Sequence, residues 1–249
     1  MLIAGVDLAA EPKGTALAVI DWTADSATLV DLKLNVSDSE IVACSTQVEK
    51  LGIDCALGWP VEFIDFLSGK HPAVQASSFE GDLGLRRRLA YRETDRHVRE
   101  VTGRWPLSVS TDRLGMTAIR CAGLLSQISA AGIEIDKSGA GRVVEIYPGA
   151  SLRIWGFDTA GYRASKPARA ALIEQLSADA PWLDLGKHSE LMVESCDAFD
   201  AVIAALAARF AHLGAYERPT ARQLKLAQLE GWVALPNQAL SSAFNETAS

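Results

Sequence analysis

Cysteine and histidine are scarce in this 249-residue sequence, four of each, and neither is clustered. Cys44, Cys55, Cys121 and Cys196 form no C-x-x-C pair. That argues against a structural zinc site, and a chain of this length has no need of disulfide staples. His71, His97, His188 and His212 share no metal-ligand spacing. There is no G-x-S-x-G elbow, no Cys/His nucleophile signature and no G-x-x-x-x-G-K-[ST] phosphate loop. Excess positive charge is also missing. The 24 Lys and Arg against 31 Asp and Glu leave a net charge of −7, which argues against a broad non-specific coat on nucleic acid but leaves room for a local basic groove. The longest apolar stretch, residues 198–210, is broken by Asp200 and Arg209, so no membrane span is expected. The opening MLIAGVDLAA has no basic start and is interrupted by Asp7. A cytoplasmic protein with reduced thiols is the expectation.

Apolar residues make up 49% of the chain and charged residues 22%, enough buried surface to offset the entropy of ordering. Three short apolar runs open the chain, at residues 2–8, 15–22 and 27–34, separated by Gly, Pro, Asp and Ser. Their spacing predicts an antiparallel meander. The pattern then changes. Ser37 or Ser39 can cap a helix running to about residue 50, and residues 51–56 read as a buried strand. Residues 58–90 are rich in Gly, Ser and Pro and read as an irregular insertion. Helices are predicted over 111–131, 150–155, 166–178 and 190–212, with a buried strand at 143–147. The fold class is α/β: three antiparallel strands, a helix and further parallel strands, flanked by helices. No repeat or boundary divides residues 1–236, which read as one domain, and residues 237–249 read as a frayed polar tail.

Acidic residues stand at places that soluble proteins usually keep apolar. Asp7 ends the first run, Asp54 sits inside GIDCA, Glu145 interrupts VVEIYP, and Asp197 and Asp200 lie at i and i+3 in DAFDAVIAALAA. A buried ionised carboxylate is costly unless paired, hydrogen-bonded or metal-bound, and several in one cleft raise one another's pKa. A divalent cation relieves both penalties, and hard oxygen donors favour Mg²⁺ or Mn²⁺. Glu145 has an alternative role as the partner of an arginine such as Arg142.

This pattern resembles the ribonuclease-H-like superfamily, in which acids on the first strand, the fourth strand and a late helix bind metal. The DAFDA helix start is similar to that of the RuvC-type resolvase branch. More closely, GVDLA (5–9), GIDCALGWP (52–60), YRETD (91–95), EIYPGAS (145–151), DAFDAVIAALAAR (197–209) and EGWVALP (230–236) resemble, in order, an uncharacterised domain-of-unknown-function family of predicted ribonuclease-H-like nucleases. The resemblance implies a nuclease that cuts phosphodiester bonds by a two-metal mechanism. Asp7 would bridge the ions, Asp54 and Asp200 would hold one side each, and Asp197 or Glu145 would complete the shell.

Residues 85–105 carry seven arginines, at 86, 87, 88, 92, 96, 99 and 104. They read either as a flank that contacts the phosphates of a nucleic acid or nucleotide, or as a solvated helix face. Within the family-like motif, Arg92 is expected to contact a phosphate or a metal-site acid, with Asp95 orienting it or adding a ligand. Trp59, after the Asp54 strand, is a candidate for stacking on a base or for core packing. The alternative function is a nucleotide-binding or non-catalytic polyanion-binding module on the same fold.

Overall fold

Short, largely buried runs form the strands of the first half of the chain. The structure, a computed structural model, describes residues 1–71 and 82–244. Leu2–Asp7 (β1), Ala16–Trp22 (β2) and Ala27–Leu34 (β3) form the antiparallel meander. Asp38–Ser45 (α1) follows, with Ser37 as its cap: Ser37 Oγ accepts the Glu40 N–H and Glu40 Oε2 accepts the Ser37 N–H. Lys50–Asp54 (β4) then returns parallel to β1, Val143–Glu145 (β5) adds beside β4, and Leu183–Asp184 (β6) pairs with β3. The result is a six-stranded mixed sheet in the order β5-β4-β1-β2-β3-β6. The helices are Val61–Leu67 (α2), Leu83–Ala90 (α3), Glu93–Thr102 (α4), Gly115–Ala130 (α5), Pro148–Ile154 (α6), Lys166–Asp179 (α7), Ser189–Glu194 (α8), Cys196–His212 (α9) and Leu224–Glu230 (α10). Among the described residues no helix is long and apolar enough to cross a membrane.

Two cores cover the two faces of the sheet. Ala4 and Val6 of β1 and Leu51 and Ile53 of β4 face α1 and α5, packing with Ile41, Leu124 and Ile128. Ile3 and the inner residues of β2 face α9. Because side chains alternate along a strand, Gly5, Asp7, Gly52 and Asp54 also point toward α9. The two glycines are paired in register. A Cβ on Gly5 would lie 2.1 Å from Ala205 N and 2.2 Å from Ala201 O, and one on Gly52 would lie 2.8 Å from Ala204 O. The backbone of α9 therefore rests directly on the sheet. Ala201, Ala204, Ala205 and Ala208, at i, i+3, i+4 and i+7, form the face small enough to allow it.

Three expectations need correction. The long helix over 190–212 is two helices, because Ser195 adopts an extended backbone and its Oγ accepts the Ala198 N–H, capping α9 afresh. The arginine-rich stretch, for which no single helix was expected, forms α3 and α4, separated at Tyr91 and Arg92, both extended. The insertion at 58–90 contains α2 and α3; its residues 72–81 lie outside the described residues. The tail is not frayed as far as it is described. Leu240 and Ala243 are buried, and Phe244 packs 5.5 Å from Trp22 and 5.2 Å from Trp182; residues 245–249 lie outside the described residues.

The contact of α9 with the sheet predicts that Gly5→Ala lowers the unfolding free energy by about 3 kcal/mol or more. Gly123→Ala, on the exposed side of α5 where a Cβ meets nothing within 4 Å, should raise it by about 0.5–1 kcal/mol. Urea denaturation reads both, and a Gly5→Ala protein as stable as its parent contradicts this packing.

Candidate functional site

Asp7 and Asp54 are the last residues of β1 and β4 and pair directly in the parallel register. Adjacent strands lie about 4.8 Å apart, so the two carboxylates share one small volume at the C-terminal ends of these inner strands. They line a cleft of about 260 Å³ together with Glu145, Arg92, Asp95 and Arg163. Among the described residues neither carboxylate has a hydrogen-bond or ion-pair partner. Asp200 is buried on α9, just before the alanine face that meets the sheet. Its Oδ1 accepts from Tyr162 Oη at 2.9 Å; its Oδ2 lies 3.7 Å from both Cys196 Sγ and an Arg163 nitrogen. Asp197 stands in the first turn of α9, partly buried, where the helix N-terminus favours negative charge.

These acids raise one another's pKa. Burial, then Asp54, Asp200 and Asp197, hold the Asp7 carboxyl well above the usual range. Burial and Asp200 push Asp54 up to about 8, with Glu145 adding to the effect and Arg163 opposing it. Asp200 is pushed up to about 6 by burial, restrained by Arg163 and the Tyr162 hydroxyl. Burial also raises Asp197. Asp7 and Asp54 thus need a proton or a cation. Unpaired hard oxygen donors, buried and mutually repelling, fit Mg²⁺ or Mn²⁺ in chemistry. Among the described residues no three acidic, His or Cys side chains are gathered as a ready-made ligand set. Asp7 and Asp54 are therefore the pair that would hold a cation, with Asp200 beside them and engaged by Tyr162 and Arg163.

Glu145 and Arg92 have another role. Arg92 is buried, and all five of its N–H donors are used. Nε and Nη2 donate to Asp95 at 3.2 and 2.8 Å; Nη1 and Nη2 donate to Glu145 at 2.8 and 2.7 Å; Nη1 also reaches the Glu230 carbonyl at 3.1 Å. Glu145 Oε2 further accepts the Leu57 N–H at 3.0 Å. Gly231, at φ +92°, passes so close that a Cβ would lie 2.6 Å from Glu145 Oε2. Breaking a buried pair of this kind generally costs about 3–5 kcal/mol. The arginine partner of Glu145 is thus Arg92, not Arg142, and Arg92 contacts a cleft acid rather than a free phosphate site. The clamp locks together four of the sequence segments singled out above: GIDCALGWP, YRETD, EIYPGAS and EGWVALP.

Several expected site residues fall elsewhere. Arg86, Arg87 and Arg88 are exposed on α3 and do not line the cleft, and Arg88 Nε reaches Glu62 at 3.3 Å. Trp59 packs against Ala56, Val109 and Ala118 rather than offering a free face to the cleft. The sequence reading missed Arg163 and Tyr162. They come from the turn after α6 (Gly161-Tyr162-Arg163), whose only signal was a lone Tyr-Arg beside Gly.

The raised pKa values fix the sign of a pH effect. An acid whose folded pKa exceeds its unfolded value stabilises fully below the unfolded value, and that contribution is lost as pH rises through the folded pKa. In EDTA the thermal midpoint should fall as pH rises from near the ordinary 3.8 through about 6 for Asp200 and about 8 for Asp54. Asp54→Asn should flatten this fall. A midpoint that climbs over the same interval, or an Asn variant with the parent's slope, contradicts the electrostatics described.

Comparison with known proteins agrees with the resemblance only as far as the family. No curated protein and no solved structure matches the chain. Residues 5–223 match the family model described as "Protein of unknown function (DUF429)", a span that holds every acid of the site. The chain belongs to the DUF429 family.

Proposed function

We propose that this chain hydrolyses phosphodiester bonds of a nucleic acid or nucleotide with divalent cations, Mg²⁺ or Mn²⁺, on a ribonuclease-H-like scaffold. One observation carries the reading. Two carboxylates, Asp7 and Asp54, end adjacent parallel strands in register without a hydrogen-bond partner among the described residues, and Asp200 is close enough to raise both. The sheet supports it. Three antiparallel strands, a helix and a fourth strand beside the first match the layout that the resemblance to that superfamily implies.

Asp7 and Asp54 would hold the cation, and Asp200 or Asp197 would complete the shell. When bound, the cation supplies Lewis-acid polarisation and charge neutralisation at phosphorus. The protein's own groups do the rest. Arg163 lines the cleft and offers a guanidinium to phosphate oxygens. The Arg92 clamp fixes Glu145 and the backbone at Leu57 behind the acids. Pro106 and Leu107 add apolar surface to the lining of the cleft.

A binding module without turnover is the second reading, favoured by the engagement of Asp200 with Tyr162 and Arg163. Incubation with labelled single-stranded, duplex, hybrid and junction substrates separates the two. The hydrolase reading predicts cleavage in Mn²⁺ that EDTA abolishes and Asp7→Asn lowers by about 10²-fold or more. Salt-sensitive binding without cleavage selects the module. Cleavage that survives both EDTA and Asp7→Asn overturns the proposed site.

A further inference from the structure

A second pocket, of about 270 Å³, adjoins the acidic cleft and carries the opposite charge. Arg104, Arg153 and Arg163 line it with Tyr147, Tyr162 and Thr159, and no Asp or Glu is among its lining residues. Tyr147 and Arg163 line both cavities, so they form the wall between them. Within this wall an anionic group in one pocket and a cation-bound group in the other would be neighbours on one ligand.

Arg153 is the informative residue. Its Nε and Nη2 are buried and have no hydrogen-bond partner among the described residues. Its guanidinium lies over the face of Tyr147, at 5.5 Å from the ring centre. A guanidinium with two dry, unpaired nitrogens carries an uncompensated desolvation cost that an oxyanion would remove. Gly149 lines the same pocket, and a Cβ there would sit in ordinary contact with Tyr147 Cε2 at 3.4 Å, Arg153 Nη1 at 3.6 Å and Tyr162 Oη at 3.6 Å. Arg104 is exposed at the rim and Arg163 is 55% exposed, so the pocket has a cationic mouth. Planar arginine forks match the paired oxygens of a phosphate.

We infer that this pocket is an anion subsite that holds one phosphate group, next to the linkage presented to Asp7 and Asp54. Its assignment to the substrate of the acidic cleft rests on the phosphodiesterase reading; its affinity for phosphate does not. The polyanion contact expected from Arg86–Arg88 is thereby moved to Arg104, Arg153 and Arg163.

The test is fluorescence anisotropy of a dye-labelled single-stranded oligonucleotide, in EDTA so that nothing is cut, titrated at several salt concentrations. Arg153→Ala and Arg104→Ala should each weaken binding several-fold and lower the salt slope by about 0.7, the value for one phosphate contact on a single strand. Arg104 is exposed, so its variant decides the matter even if Arg153→Ala unfolds. The same oligonucleotide with and without a 5′-phosphate separates the sources. Loss confined to the phosphorylated form assigns a terminal phosphate, and loss on both assigns an internal diester. Wild-type protein that binds neither form, or two arginine variants that bind both with the parent's affinity and slope, overturns the subsite. Normal binding losses in a protein that never cleaves would leave the subsite standing and remove only the hydrolase reading.

Discussion

The close approach of α9 to the sheet at Gly5 and Gly52 determines where the acids of the cleft stand. A side chain at either glycine would overlap the helix backbone, so only this pair of residues lets the helix settle onto β1 and β4. The consequence reaches two residues further along each strand. Asp7 and Asp54 project from the same face as the glycines, and the first turns of α9, with Asp197 and Asp200, are carried toward them. A packing requirement in the core therefore sets the positions of four acids that the chain spaces far apart.

Two kinds of buried charge sit side by side here and are handled differently. Arg92, Glu145 and Asp95 form a closed network in which every guanidinium N–H has an acceptor. Asp7 and Asp54 face the cleft with no hydrogen-bond partner among the described residues, and Arg163 acts on them only at a distance. Satisfied networks hold a structure together, whereas unsatisfied titratable groups in a cleft are where binding and catalysis are found. The arrangement of Arg153 repeats this logic with the sign reversed, one wall away.

Much of the fold was legible because the early strands are short apolar runs whose turns carry Gly, Pro and Asp. Asp7, Asp54 and Asp200 stood out as single acids inside apolar runs. Their glycine companions carried a signal that went unread: GVD and GID each place Gly two residues before Asp, opposite an alanine face on α9. Arg92 and Glu145 were visible as unusual residues, but their pairing spans 53 positions and closes through Glu230 and Gly231, which no local pattern encodes. Arg163 and Tyr162 lie in a turn where neither helical nor strand periodicity applies. The break at Ser195 was hidden because the apolar pattern runs through it and only the capping hydroxyl interrupts the helix. The two-residue β6 is too short for any period to announce it.

On the proposed reading, the paired carboxylates of β1 and β4 ionise together only when they share a cation. Titration calorimetry of the EDTA-stripped protein with Mn²⁺ at neutral pH is the decisive measurement. Saturable binding accompanied by proton release, lost in Asp7→Asn and retained in Arg88→Ala, is the expected result. No heat of binding in the parent, or unchanged binding in Asp7→Asn, would contradict it.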